Sequence, residues 1–148
     1  MREIFVQIIA NKVFVITLAA WIIAQAIKVA IGVIRQRKFD FRWLIGTGGM
    51  PSSHAAGATC LAASLGLEYG FNSAYFALAA SFAIVVMFDA QGVRRSTGRQ
   101  ARILNKVMDD IYWQGRITEG RLRELVGHTP VEVLVGALLG IAVAFFLH

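Results

Sequence analysis

The chain has 148 residues, enough for one domain and too few for two substantial cores. Hydrophobic residues make up 57% and charged residues 16%, against about 25% charged in soluble domains, so a water-soluble globular class is excluded in favour of a membrane protein. The net charge of +6 does not point to nucleic acid: the Lys and Arg residues border apolar runs, no nucleic-acid-binding motif accompanies them, and anionic lipid headgroups with the positive-inside bias account for them.

In chain order, Arg2 and an apolar run open the sequence without a small-residue cleavage site, which reads as a retained first span and not a signal peptide. Residues 2–12 either extend the first helix or lie along the interface. Val13 to Ile34 runs 22 residues with one charge, Lys28, and one strong polar group, Gln25. That length crosses a bilayer core of about 30 Å. A basic, aromatic loop follows, from Arg35 through Trp43, as expected at a headgroup layer.

A second apolar segment, Ala55 to Tyr69, is short for a span and rich in Ala and Gly, which predicts close packing on other helices more than lipid contact. Its one cysteine, Cys60, has no intrachain partner, so disulfides play no part in the monomer. Gly70 to Ser73 turns the chain into a third apolar segment, Ala74 to Val93, interrupted near its end by Asp89 and Gln91. After a cluster of arginines, apolar residues at 103, 104, 107, 108, 111 and 112 give a helical period with one apolar face, predicting an interfacial amphipathic helix over 99–113. Val131 to Leu147 forms the last span and carries only Glu132.

The predicted fold is therefore all-α, an integral-membrane helical bundle with about four spans (13–34, 55–70, 74–93, 131–147) plus an interfacial helix, in a single domain over 1–148. Loops 35–54 and 94–130 then share one side and hold 12 of the 15 Lys and Arg residues, which makes that side cytoplasmic.

Chemistry-bearing residues collect on this side. Pro51-Ser52-Ser53-His54 reads as a helix start, where unpaired N–H groups and the positive end of the dipole suit a phosphate; the alternative is a cap and nothing more. Lys28 and Arg35 are seven residues apart on nearly the same helix face, although Lys28 alone also fits a snorkelling side chain. Thr129-Pro130-Val131-Glu132 is a complete capping box, yet Glu132 also stands four residues after His128, in reach to orient its ring. Cations, N–H groups and two histidines suit phosphoryl transfer, one histidine attacking and the other protonating the leaving alkoxide. Zinc held by His54, His128 and Glu132 is a weak alternative without HExxH or CxxC spacing.

These residues resemble the type-2 phosphatidic acid phosphatase and vanadium haloperoxidase superfamily, and the whole chain resembles its small, divergent membrane branch. That superfamily carries Lys, six residues, Arg-Pro; then Pro-Ser-Gly-His; then Ser-Arg, five residues, His, three residues, Asp. Lys28 and Arg35 match the first motif with Gln36 for the proline, Pro51 to His54 match the second with Ser53 for glycine, and His128 with Glu132 match the end of the third with Glu for Asp. The third-motif arginine would fall on Leu122, so Arg123, then Arg94 or Arg95, are the substitutes.

The resemblance implies that His128 is a nucleophile forming a phosphohistidine, Glu132 its orienter and His54 the general acid. Lys28, Arg35, Ser52 and Ser53 would bind phosphate. Asp89, in the Asp89-Ala90-Gln91-Gly92-Val93-Arg94-Arg95 stretch that the divergent branch shares, either supports an arginine or forms an interfacial ion pair. The expected activity is hydrolysis of a lipid phosphate or diphosphate at the cytoplasmic face of the cell membrane, with no metal and no cofactor. The expected partners are a membrane lipid substrate and anionic lipid headgroups, not nucleic acid, with a homo-oligomer open. Two rivals stand beside it: a non-catalytic membrane transporter or binding protein for an anionic or phosphorylated lipid, and an assembly protein whose histidines only cap helices.

Overall fold

The computed structural model describes residues 1–37, 49–92, 100–101, 103–105, 108 and 128–148. All regular structure among them is helical: α1 (Arg2–Ala10), α2 (Lys12–Gln36), α3 (Ser53–Tyr69), α4 (Ala74–Gln91) and α5 (Pro130–Leu147).

Local chemistry accounts for most helix boundaries. Residues 2–12 do not simply extend the first span, because Asn11 takes an extended conformation and its side chain caps α2 by accepting from Phe14 N at 3.0 Å. The helix α2 ends at Arg37, whose φ of 50° is left-handed and whose N–H bonds back to Val33 O at 2.8 Å. Ser52, Ser73 and Thr129 cap α3, α4 and α5 through their hydroxyls. The turn between α3 and α4 needs Gly70, which stands at φ +90°.

Among the described residues three helices, α2, α4 and α5, are long and apolar enough to cross a membrane. The segment predicted as a fourth span is a helix of 17 residues, about 26 Å long, and sits at the centre of the bundle against α5, α4 and α2. Its small side chains explain the placement. Lipid is as apolar as leucine, so helices in a bilayer associate through close van der Waals approach and a few hydrogen bonds, both of which Ala, Gly, Ser and Thr permit.

The α3–α5 seam is the tightest contact. A Cβ on Gly136 would strike the Ser52 carbonyl oxygen and lie 3.0 Å from Ser52 N, and one on Gly140 would strike the Ala56 carbonyl oxygen and the Thr59 hydroxyl. Thr59 Oγ1 lies 2.8 Å from Ala55 O on its own helix and 3.0 Å from Ala137 O on α5, its one proton serving both. Farther along, Ile16, Ala20, Cys60, Ala63, Val143 and Ala144 form the core shared by α2, α3 and α5. Cys60 is buried there, with Sγ 3.6 Å from Ile16 O.

The opposite ends of the same helices are joined by His148 Nε2 and Glu68 Oε2 at 2.9 Å. Most of the predicted interfacial helix 99–113 lies outside the described residues. Residues 100–101, 103–105 and 108 are helical; Ile103 and Leu104 are exposed, whereas the polar Asn105 beside them is buried.

Candidate functional site

The helix starts of α3 and α5 meet. Ser52 N donates to Glu132 O at 3.0 Å, and Ser52 Oγ accepts from Ala55 N at 3.3 Å as the cap of α3. Ser52 and Ser53 are both buried at this junction. Two helix N-termini, each with its positive dipole end, thus stand side by side. Gly136 makes the approach possible, since any side chain there would occupy the space of the Ser52 backbone.

His128 immediately precedes the α5 cap. Its backbone N–H bonds to Ala90 O at 3.0 Å, which anchors it to the end of α4, and its side chain is buried. Ring Nδ1 lies 3.4 Å from Glu132 Oε2. The same Oε2 accepts from Thr129 N at 2.9 Å, while Thr129 Oγ1 accepts from Glu132 N at 3.3 Å. Capping and ring orientation look like competing uses of Glu132 in the sequence; here one rotamer makes the cap and brings the same oxygen to within 3.4 Å of the ring. The cap bond is the shorter, so the cap holds the carboxylate and the carboxylate faces the ring. Beneath the site Ala55, Ala90 and Val133, with Met87, pack the ends of α3, α4 and α5 together.

Lys28 enters from α2. It is 8% exposed, which a side chain snorkelling to the headgroups would not be. Side chains on a helix lean toward its N-terminus, so Lys28 leans toward the bundle middle, where its Nζ donates to Gln25 Oε1 at 3.1 Å. Gly49, at φ +84°, packs over the Lys28 stem: a Cβ on it would lie 3.5 Å from Cγ and 3.7 Å from Cδ. Lys28 also interacts electrostatically with Glu132. The stretch before α3, the start of α5 and the buried cation of α2 therefore share one locality.

Other expected site residues are placed differently. Arg35 matches Lys28 in helical phase but lies exposed in the last turn of α2. His54 is exposed in the first turn of α3. Asp89 is half-buried, next to the Ala90 that holds His128. Arg94, Arg95 and Arg123 lie outside the described residues. Among the described residues no group of three or more His, Cys, Asp or Glu converges with metal-binding geometry.

Two features escape a reading of single motifs. Gln25 is the acceptor for Lys28, and its signal is the i, i+3 spacing of two strong polar residues inside an otherwise apolar span. The Gly136 and Gly140 pair that seats α5 against Ser52 and against Ala56 with Thr59 is legible as two glycines four apart in an apolar helix.

No solved structure matches the chain. An uncharacterized membrane protein, YuiD, of Bacillus subtilis (strain 168) is 41% identical over 95% of this chain and 96% of its own length. The divergent PAP2 family matches residues 9–143, nearly the whole chain and every described part of the site. With that coverage, and with a near full-length relative at that identity, the chain belongs to the divergent PAP2 family.

Proposed function

We propose that this protein is a membrane phosphatase that hydrolyses a lipid phosphate or diphosphate without a metal ion, at the cytoplasmic face. The observation that carries the reading is the meeting of the buried His128, paired with the half-buried Glu132, with a second helix N-terminus and the buried Lys28. Family membership supports a phosphatase relationship, and the basic character of the loops on this side supports the sidedness.

In this reading Glu132 accepts from His128 Nδ1–H, which makes Nε2 the basic, nucleophilic nitrogen. Nε2 attacks phosphorus, the bond to the leaving oxygen breaks, and His54 protonates the departing alkoxide or phosphate. Lys28 and the N–H groups at the start of α3, with Arg35, stabilise the charge on the phosphoryl oxygens. Water then cleaves the phosphohistidine, and the proton it loses returns to His54. Ser52 and Ser53 shape the cradle, Arg94, Arg95 or Arg123 would complete it, and Asp89 would hold an arginine.

Purified protein is expected to release phosphate from a lipid phosphate in the presence of EDTA, to be inhibited by vanadate, and to lose turnover in His128→Ala. Full activity of His128→Ala would remove the nucleophile and the reading with it. Anion binding without hydrolysis, abolished by Lys28→Ala, would favour the transporter or binding-protein alternative.

A further inference from the structure

A lysine in the bundle interior needs acceptors, because an ammonium has three N–H donors and no acceptor capacity. Gln25 Oε1 takes one of these bonds at 3.1 Å, and both side chains are buried to the same extent, 8% exposed. The two residues lie one turn apart on α2, and Lys28 stands eight residues, about 12 Å, inside the Gln36 end of the helix. Gly49 packs against the Lys28 stem, and the Gln25 amide holds the head group.

Chemistry gives a reason for an amide at this position. A carboxylate would close an ion pair with Lys28 and cancel its charge locally, leaving little for an anion. An amide oxygen carries only a partial charge: it orients the ammonium and leaves more of its charge for a bound oxyanion than a carboxylate at the same position would. We propose that Gln25 is a positioning residue that aims Lys28 Nζ at a phosphate oxygen, and that its neutrality keeps the lysine available for a phosphate group. The proposal rests on reading Lys28 as a phosphate ligand.

The test compares Gln25→Leu and Gln25→Glu with wild type in the full-length protein in detergent, measuring orthovanadate and inorganic phosphate affinity by calorimetry and KM and kcat on a lipid phosphate. Thermal unfolding of each variant checks folding. Losing one charge-assisted hydrogen bond is expected to weaken anion binding about tenfold in Gln25→Leu, with KM rising in parallel. Gln25→Glu, close to wild type in shape, is expected to weaken it a further tenfold or more. It also keeps the test open where the leucine variant does not fold.

Wild-type anion affinity in the folded variants, or a glutamate variant that binds anions as well as wild type, would overturn the proposal while leaving hydrolysis intact. Wild-type protein that binds vanadate and phosphate but hydrolyses nothing, with the Gln25 variants weakened as expected, would support the proposal and remove the phosphatase. Absence of anion binding by wild type would overturn both.

Discussion

Replacing Glu132 by glutamine separates its two uses. One carboxylate oxygen caps α5 through Thr129 N at 2.9 Å and faces His128 Nδ1 at 3.4 Å. An amide oxygen in the same rotamer still accepts from Thr129 N, so Glu132→Gln keeps the capping box and loses only the favourable charge at the helix start, about 0.3–1 kcal/mol. Glu132→Ala loses the cap as well, about 1 kcal/mol more. Turnover responds differently. In the proposed mechanism a carboxylate beside His128 stabilises the positive charge the ring acquires on attack, and a neutral acceptor does not. Hydrogen bonds to charged groups contribute about 1.5–3 kcal/mol, so turnover is expected to fall about 10- to 100-fold in Glu132→Gln. Thr129→Ala is the control, since it removes the other half of the box, costs about 1 kcal/mol and leaves the ring partner in place. The assays are chemical unfolding in detergent and phosphate release from a lipid phosphate with EDTA present. A Glu132→Gln protein with wild-type turnover would refute the orienting role and leave Glu132 a helix cap.

The α3–α5 seam yields two expectations about stability. Gly140→Leu forces a side chain into the Ala56 carbonyl and the Thr59 hydroxyl and is expected to destabilise the fold by at least the 1–3 kcal/mol typical of overpacking, whereas Leu138→Ala on the exposed face of α5 has little effect; equal unfolding midpoints would show that the seam is not tight. Thr59→Val removes the hydroxyl that reaches Ala137 O, and a loss of about 0.6 kcal/mol, the average for such bonds between membrane helices, is expected by unfolding in detergent. At the far end, Glu68→Ala removes the contact with His148; with the Glu68 side chain 40% exposed, solvent screening limits the expected loss, read by unfolding in detergent, to below about 1 kcal/mol.

The helices and their starts were legible in the sequence because they follow from nearest-neighbour chemistry. A run such as Val13–Ile34 has no stable state outside a helix in lipid, and Ser52, Ser73 and Thr129 mark helix starts through bonds to residues three positions ahead. The shortness and small residues of α3 likewise announced a helix packed by other helices. The site residues stood out for a related reason: a lysine inside an apolar span and a histidine close to each of two helix caps are costly or unusual locally, whatever the tertiary fold.

What the chain pattern left undecided concerns neighbours brought together from far along the sequence. His54 and His128 occupy similar positions at two helix starts, yet His128 is buried where Ala90 of α4 closes over its backbone, and His54 stays exposed. Lys28 and Arg35 share a helical phase, yet only Lys28 is deep enough to be enclosed, by Gln25 and Gly49. Whether Glu132 caps or faces the ring could not be read from spacing, since Thr129 three residues back and His128 four residues back are both within its reach; in the rotamer held by Thr129 one oxygen meets both groups. Amino-acid sequence alone determined a helical membrane bundle with its polar residues gathered toward one end. Tertiary packing decided which of those residues are enclosed together, because enclosure depends on how closely α3 and α5 approach, and two glycines with no side chain allow that approach.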